Sequence, residues 1–262
     1  MKFGEYLRAL SEVGFKNIKL MAYTDRNYIF SAKHERYGDV AIKTPKLGSG
    51  RVLGINVDPE DYLKEFKLSK LLNDEHIVKV YDVLRVKDGL PILIEEKGRT
   101  SLRELLKVKG KLSICQAIKI SVALLKAIKK IHECGFVYGD LKPENVVITS
   151  SGNAKIVDLE TIRPIEDPVA RATLDYSAPE QLLECRTLPE SDVYQVALIL
   201  HEMVTGYARN PIFGEELVID EPKWLKNLLL KALNKDYKSR LKLEEFLSEL
   251  MKYLNNFCKG ND

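Results

Sequence analysis

The repeat of apolar residues changes period near residue 98, and this change constrains the fold more than any other feature of the chain. Upstream, apolar residues fall in short runs rich in β-branched and aromatic side chains: Tyr28-Ile29-Phe30, Val40-Ala41-Ile42, 77–86 and 91–94. Turn sequences such as Tyr37-Gly38-Asp39 and Lys87-Asp88-Gly89 divide them, which predicts a meandering sheet. From about Ser101 the spacing becomes helical, first at Leu102, Leu105 and Leu106, then at Ile114, Ile118, Val122, Leu125, Ile128 and Ile131, and later over 193–203, 224–233 and 243–254. Two short apolar runs, 145–149 and 154–157, interrupt the helices and are joined by Ser150-Ser151-Gly152-Asn153, which predicts a hairpin. The switch falls at Lys97-Gly98-Arg99-Thr100, where a glycine permits a bend.

One main helix is expected within the sheet part. Asp58 is its predicted N-cap, with Pro59 in the first turn, Tyr62, Phe66 and Ser69 on one stripe, and Leu63, Leu68, Leu71 and Leu72 widening it. Ahead of the sheet, Phe3, Leu7 and Leu10 recur at helical spacing and Gly14 ends that segment. The pattern is α+β, with a small β-rich lobe over 1–96 and a larger, mostly helical lobe over 97–262. With 262 residues, 45% of them hydrophobic, the chain can fill one large or two small cores.

Charge narrows the partners. Lys plus Arg number 41 against 38 Asp plus Glu, and a net +3 spread along the chain predicts neither nucleic acid nor a membrane surface as partner. No apolar run approaches the roughly 18 residues of a membrane span, and the start carries no signal-peptide stretch. Cys115, Cys134, Cys185 and Cys258 lie far apart with no Cys-x-x-Cys pair, which predicts neither a zinc site nor a disulfide framework. A reducing, cytoplasmic setting is therefore expected.

The chemistry concentrates in Tyr138-Gly139-Asp140-Leu141-Lys142-Pro143-Glu144-Asn145, a loop holding an acid, a base and an amide ahead of an apolar strand. Asp158, after the second strand of the hairpin, supplies a carboxylate to stand with Asn145, a pair of hard oxygen ligands of the kind Mg2+ accepts beside phosphate oxygens.

In this order the residues resemble a eukaryotic-type Ser/Thr protein kinase, and the resemblance runs from about Met21 to the last helix. Val40-Ala41-Ile42-Lys43 stands as the lysine strand, Glu65 as the helix glutamate, and residues 138–145 as the catalytic loop. Asp158-Leu159-Glu160 stands at the metal-binding triplet, and Thr173-Leu174-Asp175-Tyr176-Ser177-Ala178-Pro179-Glu180 at the end of the activation segment. Ser191-Asp192-Val193-Tyr194 resembles the start of the family's buried helix, and Arg240 is placed like the arginine that pairs with Glu180.

The resemblance implies a single two-lobed protein-kinase-like domain over 1–262 that transfers the γ-phosphate of ATP to Ser or Thr hydroxyls of protein substrates. It implies that Lys43 holds the α and β phosphates and Glu65 holds Lys43. Asp140 would orient the acceptor hydroxyl and accept its proton, with Lys142 against the γ-phosphate. Asn145 and Asp158 would bind Mg2+ or Mn2+. Adenine would lie between Ala41 and Val147, with Ile29 above and Ile94 behind, bonded to the backbone of Glu95, Glu96 and Lys97. A pseudokinase serving as a nucleotide-binding or scaffold module, and a small-molecule kinase of the same fold, are the alternatives.

The chain departs from the family's pattern at several positions. Ala22, Thr24 and Asn27 occupy the glycine positions of the phosphate loop, and Gly48-Ser49-Gly50 reads as a connector instead of a substitute. Ser69 stands where an apolar side chain is usual. Gly139 replaces the arginine that would receive an activation-segment phosphate, so activity without that phosphate is expected. Switching is then expected through the Glu65 helix, with the segment from Phe3 to Leu10 docking beside it.

Overall fold

Strand register decides which side chains of the first unit share a face. In the computed structural model, which describes residues 3–46, 59–165, 167, 173–214, 216–219 and 222–258, the chain divides into two units. One comprises Met1–Asn73 with Ile77–Gly98, the other Asp74–His76 with Arg99–Asp262. The expected Asp58 cap and the Gly48-Ser49-Gly50 connector lie outside the described residues.

The first unit contains α1 (Phe3–Glu12), β1 (Lys16–Tyr23), β2 (Asn27–His34), β3 (Gly38–Pro45), α2 (Pro59–Leu72), β4 (Val80–Arg85) and β5 (Pro91–Glu96). Its antiparallel sheet has the order β1-β2-β3-β5-β4. Phe30 pairs with Ile42 and Ile42 with Ile94, whereas Ile29 pairs with Lys43 and Lys43 with Leu93. Direct partners point to the same face and neighbours along a strand to opposite faces. Phe30, Ala32, Val40, Ile42, Ile92 and Ile94 therefore share one face, and they form a core with Phe15 and with Tyr6, Ala9 and Leu10 of α1. Tyr62 of α2 packs with Val80 and Leu93 on the other face.

The two helices thus cover opposite faces of the sheet, which corrects the expectation that the N-terminal segment docks beside the Glu65 helix. The aromatic rings decide the matter: Tyr6 meets Tyr28 at 5.3 Å and Phe3 meets Phe30 at 5.8 Å, both contacts on the face away from Lys43. Strand β1 carried no sequence signal because Leu20, Met21 and Tyr23 are exposed on an edge strand, so no alternation marks it. The run 77–86 yields a strand only from Val80. Ser69 Oγ donates to Val78 O (3.2 Å) and accepts from Val80 N–H (2.9 Å), so this polar residue bonds α2 to the irregular chain ahead of β4.

The second unit is mostly helical: α3 (Leu102–Lys109), α4 (Ile114–Glu133), α5 (Pro179–Leu183), α6 (Pro189–Thr205), α7 (Lys223–Ala232) and α8 (Leu243–Phe257). The short strands β6 (Thr100–Ser101), β8 (Val146–Ile148) and β9 (Ala154–Ile156) form one small sheet, and β7 (Phe136–Val137) pairs with β10 (Arg163–Pro164). A capping box between Ser113 and Gln116 starts α4, which packs against α6 and α8. Gly206 ends α6 at φ +84°, and a Cβ there would lie 2.9 Å from Gly110 O, so glycine is required twice over.

Cys115 near the start of α4 and Cys258 after α8 form a disulfide across 143 residues. The sequence reading foresaw no disulfide, because the two cysteines become neighbours only when α8 packs on α4. Among the described residues, no helix is long and apolar enough to cross a membrane.

Candidate active site

The loop between β7 and β8 is held by side chains from α6. Asp192, fully buried, accepts Tyr138 N–H (3.0 Å) through Oδ2 and Gly139 N–H (2.8 Å) through Oδ1, and Oδ2 also meets His132 Nε2 at 2.8 Å. Gln195, one turn further along α6, accepts Leu141 N–H (2.9 Å) and donates to Gly139 O (3.0 Å). Gln181 donates to the same carbonyl at 2.8 Å and accepts from Gln195 Nε2 at 3.1 Å. Backbone groups that a loop would otherwise leave to water are thus satisfied by buried side chains, which fixes the residue between them, Asp140.

Asp140 carries a dense set of contacts. Its Oδ1 accepts from Thr173 N–H (3.1 Å) and Thr173 Oγ1 (2.8 Å), and its Oδ2 accepts from Lys142 Nζ (2.8 Å). Lys142 Nζ also donates to Thr173 Oγ1 at 2.7 Å. The acid and base expected from the sequence are therefore together, with Thr173 of the later segment as a third member. Asn145 Nδ2 donates to Asp140 O at 3.0 Å, so the remaining terminus of this amide is its oxygen. Val157 N–H donates to Asn145 O (2.9 Å), which brings Asp158 next to Asn145. Asp158 has left-handed backbone, φ 61° and ψ 63°, a conformation that Asp and Asn tolerate better than most residues with a side chain. Val147 lies half-buried in β8, paired with Ser101 and Lys155.

The other expected residues belong to the first unit. Lys43 Nζ lies 2.9 Å from Glu65 Oε1, and both residues are buried. Ile29 and Ala41 share the face of Lys43, Glu95 is buried opposite Ala41, and Lys97 is exposed. Glu96 donates its N–H to Lys79 O at 2.9 Å. Ile94 does not join this group. Its register with Ile42 turns it to the opposite face, under α1, so the position behind adenine expected for it is corrected; Leu93 and Glu95 carry the Lys43 face of β5.

The turn between β1 and β2 also differs from a phosphate-cradling loop. Thr24 Oγ1 accepts the N–H groups of Asn27 (3.0 Å) and Arg26 (3.3 Å), and Thr24 N–H donates to Asn27 O (2.9 Å). Backbone donors that a glycine loop would turn toward phosphate are consumed within the turn.

The segment ending at Glu180 is tied to the helices. Arg240 forms a buried two-pronged pair with Glu180 (2.7 and 2.8 Å), and Ser191 Oγ donates to the same carboxylate (2.7 Å). Arg103 on α3 bonds Glu144 (2.6 Å), Glu202 (2.5 Å) and the Tyr176 hydroxyl (2.7 Å), and Tyr176 also bonds Glu202. Burial and the Glu202 carboxylate push the Tyr176 hydroxyl well above the ordinary tyrosine range. Burial alone would lower the Arg103 pKa, but its bonds to Glu144 and Glu202 hold it charged. Arg103, Gln181, Gln195, Glu202 and His132 had no local sequence signal, since each acts on a residue far away along the chain.

A family model described as "Protein kinase domain" matches residues 28–254. Serine/threonine-protein kinase PknL of Mycobacterium tuberculosis is 30% identical over 228 residues, which cover 78% of this chain and 55% of the relative. A probable serine/threonine-protein kinase PknB of Bifidobacterium longum is 28% identical, covering 70% of this chain and 32% of the relative. CBL-interacting protein kinase 21 of Oryza sativa is 28% identical, covering 92% and 48%. The chain thus spans between about a third and just over half of the length of these curated relatives.

Proposed function

The chain belongs to the protein kinase domain family, and from that premise we propose that it transfers the γ-phosphate of ATP to Ser or Thr hydroxyls of protein substrates. The observation that carries this reading is the Asp140–Lys142–Thr173 cluster, in which a carboxylate, an ammonium and a hydroxyl are mutually bonded on a loop anchored by buried side chains. In the proposed mechanism Asp140 accepts the proton of the acceptor hydroxyl and aligns it, while Lys142 neutralises charge on the transferring phosphoryl group. Lys43, held by Glu65, takes the α and β phosphates, and Ile29, Ala41 and Val147 contribute apolar surface for adenine. Residues 1–96 and 97–262 serve as the two lobes of one domain.

Asn145 and Asp158 fit Mg2+ or Mn2+, because one presents an amide oxygen and the other a carboxylate, both hard donors. When bound, such an ion would neutralise phosphate charge.

The described hydroxyls of the segment between Asp158 and Glu180 support activity without phosphorylation there. Thr161 Oγ1 donates to Asp158 O, Ser177 Oγ to Thr173 O, Thr173 is bonded to Asp140, and Tyr176 is bound by Arg103 and Glu202. The expected cytoplasmic location rested on unpaired cysteines, and the Cys115–Cys258 disulfide removes that support.

The turn whose N–H groups are bonded to Thr24 favours one second reading, a nucleotide-binding module without turnover. A radiolabelled ATP assay with basic and acidic protein acceptors, run beside Asp140→Asn, separates the two. Transfer that is lost in Asp140→Asn supports the kinase; no transfer despite Mg2+-dependent binding of an ATP analogue supports the module.

A further inference from the structure

Helix α2 is held from one end of the sheet by two side chains of the β1–β2 turn. The hydroxyl of Tyr62 donates to Asn27 Oδ1 at 2.5 Å, with both residues buried, and Arg26 Nη2 lies 3.3 Å from Asp61 Oδ2. Asp61, Tyr62 and Glu65 lie within about one helical turn, so the segment that meets the turn also carries the carboxylate bonded to Lys43. The turn itself is braced: Lys46 N–H donates to Arg26 O (2.7 Å), and Thr24 closes it from inside. Asn27 and Lys43 are linked in turn through the β2–β3 register, in which Asn27 pairs with Pro45 and Ile29 with Lys43.

We propose that Arg26 and Asn27 are positioning residues: the β1–β2 turn latches α2 and thereby keeps Glu65 against Lys43. In place of a flap that closes on phosphate, this chain has a fixed turn that sets the helix. The observations behind it are independent of each other, one an ion pair and the other a buried neutral hydrogen bond, and both join the same turn to the same helical segment. Glycine at 24 would remove the brace and glycine at 27 the latch, so neither substitution is expected to restore a phosphate-cradling loop.

The proposal rests on the reading that Lys43 holds nucleotide phosphate, and the test keeps the two apart. Arg26→Asp, Asp61→Arg and the charge-swapped double variant are compared in kcat, in KM for MgATP, and in hydrogen–deuterium exchange of the α2 amides. Each single variant is expected to lower kcat up to about five-fold, the ceiling for a partly exposed pair, and to speed exchange in α2. The double variant is expected to recover both, which loss of a merely structural contact elsewhere would not produce. Asn27→Ala, which leaves the Tyr62 hydroxyl buried without this acceptor, is expected to cost about ten-fold or more. Single variants with unchanged α2 exchange or unchanged kcat, or a double variant no better than its parents, would overturn the latch. Lys43→Met, assayed in parallel, addresses the underlying reading: full activity there refutes the phosphate role of Lys43, while α2 exchange still decides whether the turn holds the helix.

Discussion

Asp192 holds Gly139 by a carboxylate oxygen 2.8 Å from the backbone N–H, from a position on α6 where the acid has no exposure to solvent. A buried carboxylate is tolerated only when its oxygens are taken up, and here Tyr138, Gly139 and His132 do so. Asp192→Ala leaves two backbone donors buried and unmatched, so a loss of about 3 kcal/mol in unfolding free energy is expected, together with at least a ten-fold fall in kcat. Urea unfolding and steady-state rates measure both.

Restoring the family's arginine at 139 is expected to fail. Gly139 has φ +81°, and a Cβ there would sit 3.0 Å from Thr187 Cγ2, with Arg163 Nε at 3.6 Å. Gly139→Arg therefore combines a left-handed backbone, costing about 1–2 kcal/mol, with a tight contact that Thr187 must yield to. A lower melting temperature with no phosphorylation-dependent gain in rate is the expected outcome. Gly139→Ala, which adds the tight contact and the backbone cost without charge, should account for most of the loss.

Reducing the Cys115–Cys258 bond is expected to destabilise the second unit. A closed segment of this length corresponds to about 5 kcal/mol on the chain-entropy account, an upper figure because the denatured chain is not a random coil. Thermal unfolding with and without a thiol reductant, repeated on Cys115→Ser, checks it, and the variant should show no response to the reductant.

Alkaline pH should weaken the fold through two tyrosines. Burial, followed by the Glu202 carboxylate, raises the Tyr176 pKa above its ordinary value of 10.0. Burial likewise raises Tyr194, against the opposing charge of Arg240. Both keep their protons in the folded chain after the unfolded chain has begun to lose them, so their contribution is complete below pH 10 and falls as pH rises beyond it. Each contributes a slope of up to about 1.4 kcal/mol per pH unit there. Urea unfolding at a series of pH values should show a shallower decline for Tyr194→Phe than for the unsubstituted chain.

What the sequence made legible were features written over a few neighbouring residues. The period change at 97–100, the Asp140-Leu141-Lys142-Pro143-Glu144-Asn145 loop and the helical spacing of Ile118, Val122 and Leu125 each reside in one segment, and each has a structural counterpart. Features fixed by register or by distant packing were not legible. A one-residue alternation sends Ile94 away from Lys43, and no pattern within 91–94 says which face is which, because all four residues are buried. Strand β1 lacks the apolar alternation that marks a half-buried strand. The side of the sheet chosen by α1 depends on Tyr28 and Phe30 facing it, and the grip of Gln195 and Gln181 on Gly139 spans more than forty residues.

The bridge between Cys115 and Cys258 also turns most of the second unit into a covalent ring. A protease that cuts once at an exposed turn inside it, such as the Ser150-Ser151-Gly152 tip, would release no fragment. The nicked chain would keep its full mass on a denaturing gel and separate into two bands only after a thiol is added.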